Sequence, residues 1–75
     1  MRPVIALTHH NPTFLKAAYA ADLDLIDHER HIKAGTKYIT WGEGKWFAWR
    51  MTRERVPIPL GRFNDLGGAL YVVRK

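Results

Sequence analysis

Not one cysteine occurs among the 75 residues, and that absence decides what can hold the fold together. A chain this short buries only about 60% of the surface its unfolded state exposes, so domains of this size often lean on disulfides or a structural metal. Neither a disulfide nor a thiolate zinc site can form here, and cohesion falls to packed apolar side chains. The composition supplies them: 47% of residues are hydrophobic, with three Trp, three Tyr and three Phe, each of which buries a large area. One folded domain spanning residues 1–75 is expected, with no room for a second core. The aliphatic run Val4, Ile5, Ala6, Leu7 is far short of a signal-peptide core or a membrane span of about 20 residues. The chain therefore reads as a soluble cytoplasmic protein with no membrane segment.

Residues 2–8 are β-prone and predict a short strand or extended arm. Asn11 and Pro12 then form a good helix entrance: an Asn side chain accepts from the free first-turn amides, and proline is preset for the first helical position. From Pro12 to Ala34 there is no further Gly or Pro, alanine recurs, and Gly35 supplies a left-handed stop. The steps between Phe14, Ala18, Ala21, Leu25 and Ile32 place one apolar stripe along a long helix over residues 12–34.

Between Thr36 and Met51 the period changes from 3.6 to 2, interrupted by Gly42, Glu43 and Gly44, which is a hairpin signature. A three-residue loop would send Ile39, Trp41, Phe47, Trp49 and Met51 to one face. Tyr38, Thr40, Trp46, Ala48 and Arg50 would then share the other, wet face. A two-residue loop would shift the pairing by one and mix the two sets. Downstream, Val56, Ile58 and Leu60 alternate with Pro57 and Pro59, whose missing amide donors restrict this segment to an edge strand or an extended arm. Residues 62–66 read as a helical turn, Gly67 and Gly68 as breakers, and residues 69–74 as a final strand. The expected fold is α+β, with one long N-terminal helix packed on a three- to four-stranded antiparallel sheet.

Charge is distributed unevenly. Residues 1–34 are neutral, and the whole formal excess of +5 lies in residues 35–75. Such a field favours phosphate backbones, anionic surfaces or an acidic protein partner, and in its plainest role keeps a small domain soluble. Serine and cysteine are both absent, which excludes hydrolases built on those nucleophiles. Neither nucleotide-binding glycine fingerprint is present, and no cofactor is expected. His28 and His31 follow Asp24 and Asp27 by four residues each, but their spacing of three departs from the zincin pattern. Solvated Asp/His pairs near a helix end account for them, so neither a metal nor catalytic residues are assigned.

The cluster from Lys45 to Arg55 interleaves rings and cations in the manner of single-strand binding surfaces, where bases stack on rings and cations follow phosphates. The corresponding site residues are Lys37, Tyr38, Lys45, Trp46, Arg50, Arg53, Arg55 and Arg62. They predict a small basic, non-enzymatic nucleic-acid-binding module of the size class of bacterial or phage accessory proteins. The alternative from the same residues is a protein-interaction module, a small inhibitor or adaptor of an acidic or nucleic-acid-handling assembly, or a homodimer through Trp46 and Tyr38. A His- or metal-dependent nuclease ranks below both.

Overall fold

Alternating side chains build most of this molecule, from its first described strand to Phe63. The computed structural model describes residues 2–6, 16 and 19–75. Its strands are β1 (Val4–Ala6), β2 (Asp24–Ile26), β3 (Lys37–Gly42), β4 (Lys45–Met51) and β5 (Pro57–Phe63), followed by a C-terminal helix (Leu66–Arg74). A 3-10 turn occupies Glu29–His31. The strands form a five-stranded sheet in the order β2-β1-β3-β4-β5. It is mixed: β1 runs parallel to both β2 and β3, with Ile5 opposite Leu25 and Ile39, whereas β3, β4 and β5 are antiparallel.

Helix and sheet are both present, but their arrangement overturns the expected one. Lys16, Tyr19 and Ala20 are helical, while the entrance at Asn11 and Pro12 and the stripe residues Phe14 and Ala18 lie outside the described residues. The helix does not continue to Ala34. Asp22 adopts φ 56, and the segment after it enters the sheet as β2. Asp is a poor helix former, and Ala21, Leu23 and Leu25 also alternate, which brings all three to one core cluster. The exchange gives the short β1 parallel partners on both sides, and so satisfies its backbone donors and acceptors.

The second correction concerns residues 66–74, which form a helix where a final strand was expected. Leu66, Ala69, Leu70 and Val73 repeat at helical spacing and pack on the sheet. Asp65 caps the helix, its carboxylate accepting from the Gly68 amide at 2.9 Å. Gly68 is there for close approach: a Cβ on it would stand 2.7 Å from the Phe63 ring. The apparent breaker is a seat for an aromatic side chain.

The third correction is one of register. The hairpin loop has two residues, Glu43 (φ 54) and Gly44 (φ 74), so Gly42 pairs with Lys45 and Trp41 with Trp46. Two positive φ values make the primed turn that matches strand twist. Ile39, Trp41, Trp46 and Ala48 consequently share the face under the C-terminal helix. Tyr38, Thr40, Phe47, Trp49 and Met51 share the other, where Ile32 packs with Ala6, Tyr38 and Met51. The two tryptophans of the first face meet at 4.6 Å between ring centroids. On the second face the Trp49 indole donates to the Thr40 hydroxyl at 2.8 Å, pairing two groups that burial would otherwise penalise.

β5 is the edge strand that its prolines required. Met51, opposite Pro57, spends its amide on Thr36 and its carbonyl on Gly35. Its position therefore asks nothing of β5, and Trp49 opposite Pro59 lies in the same phase. Both prolines thus turn their missing donors to the free edge. Val56, Ile58 and Leu60, whose alternation could have turned them inward, are exposed. Among the described residues, no helix is long and apolar enough to cross a membrane.

Candidate functional site

The altered register separates the residues that the sequence had grouped. Tyr38 is fully buried and Trp46 nearly so, on opposite faces of the sheet, so neither ring is available to a ligand. The expected wet ribbon of Tyr38, Trp46 and Arg50 does not exist. Lys45 stands at the hairpin end, where its ammonium donates to the Asn64 side chain. Arg62 lies opposite Phe47 near that end. Lys45 and Arg50 are five positions apart along β4, a rise of about 17 Å.

Arg55 has a structural post. It adopts φ 64 in the loop between β4 and β5, and its guanidinium donates to the carbonyls of Arg30 and Ile32. Thr52 braces the same loop, its hydroxyl accepting from the Val56 amide at 3.1 Å and donating to the Val56 carbonyl at 2.8 Å. Together these contacts clip the loop to the 3-10 turn beside Tyr38. The Tyr38 hydroxyl is buried with no hydrogen-bond partner among the described residues. Burial first, and then the nearby Glu29 carboxylate, through its charge and as an acceptor short of full hydrogen-bond geometry, push its phenol above the ordinary value, with Arg55 pulling the other way.

The remaining predicted cations, Lys37, Arg50 and Arg53, gather at the opposite end of the sheet. The topology adds three more. Because β1 and β3 start side by side and the C-terminal helix ends over them, Arg2, Lys37, Arg74 and Lys75 line one cavity of about 610 Å³. Arg50 and Arg53 line a second of about 420 Å³, with Glu54 as its one acid. Ala34 and Gly35 border both cavities, which therefore adjoin. Arg74 and Lys75 also suit the negative end of the helix dipole, which explains part of their placement without a ligand.

The helix dipole does not explain Lys37 and Arg50. They sit directly opposite one another on β3 and β4, with Cα atoms about 5 Å apart in such pairs. Like charges in that relation destabilise a sheet, and neither side chain forms an ion pair or hydrogen bond with a described residue. An anion placed between them relieves the repulsion. Arg2 is only loosely engaged, reaching Asp22 at 3.4 Å with both groups exposed. Such a surface pair is worth about 0–1 kcal/mol, so it holds the guanidinium only weakly.

Arg2, Arg74 and Lys75 were missed from sequence because they belong to opposite ends of the 75 residues, and the parallel pairing of β1 with β3 helps bring them together. The histidines have local tasks. His28 Nδ1 accepts from the Arg30 amide at 3.1 Å and caps the 3-10 turn. His31 Nδ1 meets Asp27 at 2.7 Å, and that hydrogen bond holds the Asp27 carboxyl below its ordinary value. Among the described residues, no group of three or more His, Cys, Asp or Glu side chains is arranged to hold a metal ion. Comparison of the chain with protein-family models, with curated proteins and with solved structures returns no match.

Proposed function

We propose that the chain is a non-enzymatic module that binds nucleic acid through its phosphates, using the cationic end of the sheet around Gly35. One observation carries this: Arg2, Lys37, Arg50, Arg53, Arg74 and Lys75 border two adjoining cavities whose linings include one acidic side chain, Glu54. Half of the 12 Lys and Arg residues are thereby concentrated at one end of a molecule whose longest extent is 32 Å. A field of that shape attracts a polyanion and orients it before contact. Tyr38, Trp41, Trp46 and Trp49 have no part in this arrangement, since they are spent on the core.

The test is a titration of mixed-sequence oligonucleotides at low ionic strength, with the unmodified chain and with Arg50→Ala and Lys45→Ala. Affinity is expected to fall steeply with salt, as counterion release requires. Arg50→Ala is expected to weaken binding, and Lys45→Ala to leave it nearly unchanged. Absence of binding at low salt, or binding indifferent to salt, removes the proposal.

A second reading rests on β5 and the residue before it, where Val56, Ile58 and Leu60 are 60%, 44% and 37% exposed, with Arg53 and Arg62 nearby in sequence. Three apolar side chains in one exposed segment suit a protein partner with an acidic rim. The outward-facing prolines exclude simple strand addition at those positions, so such a partner engages side chains. Retained binding to a defined acidic protein after Ile58→Lys would remove this alternative.

A further inference from the structure

We infer that the polyanion taken up by this end of the sheet is a single strand, with one of its bases stacked on Tyr71. The inference rests on the proposed phosphate-binding role and narrows it to a substrate class. Tyr71 lies on the outer side of the C-terminal helix and is 64% exposed. Its neighbours Leu70 and Val73 pack on the core while its own ring faces solvent. Lys75, one helical turn on, places its ammonium 4.5 Å from the Tyr71 ring centroid and also lines the larger cavity. Ring and phosphate-binding cations are therefore joined through one side chain. An aromatic platform beside a cationic groove is the arrangement that holds single strands, because any base offers a π-face to the ring while the backbone follows the charges.

A duplex fits this end of the molecule poorly. Its bases are reached only by an element that enters a groove, typically a helix or a two-stranded ribbon. Here the cations line concavities, and the β3–β4 ribbon carries the acid Glu43 at its tip. The apolar stripe of the C-terminal helix is turned into the sheet, and of the helix residues only Arg74, in the last turn, is basic. A flexible backbone with splayed bases can follow the cavities around Gly35.

The experiment compares three probes of equal length at low salt: a mixed-sequence single strand, the corresponding duplex, and an abasic single strand that keeps the phosphates. The base-bearing single strand is expected to bind at least tenfold more tightly than either of the others. Tyr71→Ala should lower its affinity by about tenfold, in line with the loss of one stacked base, while leaving the abasic strand unchanged. Tyr71→Phe keeps the ring and should retain binding, and Tyr71→Leu keeps apolar area without a π-face and should not. Thermal unfolding of each variant confirms the fold, and an exposed position makes its loss unexpected. Equal affinity for base-bearing and abasic strands, a preference for duplex, or indifference to Tyr71→Ala overturns the inference while leaving phosphate binding intact. Failure of all three probes to bind overturns the phosphate-binding proposal itself.

Discussion

Arg55 and Arg50 have the same side chain and, on the proposed function, opposite duties, which makes them a sharp pair to test. The Arg55 guanidinium supplies donors to two carbonyls of the 3-10 segment, and hydrogen bonds from a charged group are worth about 1.5–3 kcal/mol each at best. Arg55→Ala should therefore cost about 1–3 kcal/mol in chemical denaturation and change polyanion affinity little, the reverse of Arg50→Ala. Tyr38 offers a second residue-level prediction. Its buried hydroxyl makes no well-formed hydrogen bond among the described residues and has only the Glu29 carboxylate near it, so Tyr38→Phe should change stability by no more than about 1 kcal/mol at neutral pH. The sign of its pH dependence follows from the raised phenol. Below the ordinary phenol pKa of about 10, both folded and unfolded states are neutral there and stability is retained. As pH rises above 10 the unfolded state ionises first, and the folded state loses stability from this residue, by at most about 1.4 kcal/mol per pH unit. Denaturation across the alkaline range should show that loss in the unmodified chain and its absence in Tyr38→Phe.

At the scale of elements, the C-terminal helix contains two adjacent glycines that should respond in opposite directions. Gly67 has only the Asp65 carboxylate near its missing Cβ, at 3.5 Å, whereas a Cβ on Gly68 would meet the Phe63 ring at 2.7 Å. Gly67→Ala should stabilise the fold by about 0.5–1 kcal/mol through helix propensity. Gly68→Ala should destabilise it by about 1–3 kcal/mol despite the same propensity gain, because the ring is displaced. Thermal melts of the two variants would show the divergence. Phe63 also explains why this helix was hard to read from sequence. Side by side, the glycines look like breakers until one knows that a ring from β5 lies on one of them. Local chemistry did reveal the hairpin strands and the proline-marked edge, since period 2 and a missing amide are visible within a few residues. Loop length was not local. Both the two- and three-residue turns satisfy Gly42, Glu43 and Gly44, and the choice rests on Trp46 pairing with Trp41 and Phe63. That one-residue shift sends Trp46 inward and dissolves the aromatic half of the expected site, leaving Lys37, Arg50 and Arg53 from its cationic half.

For the molecule as a whole, the relevant quantity is where the excess charge lies relative to the sheet axis. Lys45 and Arg62 near the hairpin end and Lys37 and Arg50 at the other end contribute equally to the net +5. A diffuse field would make the two pairs interchangeable. A localised site makes them distinct in salt dependence, because only cations that touch phosphates release counterions. Six contacts to a single strand correspond to a slope of about −4 in log affinity against log salt, or roughly a 300-fold loss for a fourfold rise in salt. Replacing Lys37 and Arg50 together by Gln should reduce the slope to about −3 and that loss to roughly 50-fold. The matched replacement of Lys45 and Arg62 should leave the slope near −4, although it removes the same charge. Equal slopes for the two double variants would show that the charges act through their sum, and the adjoining cavities around Gly35 would then have no separate role in binding.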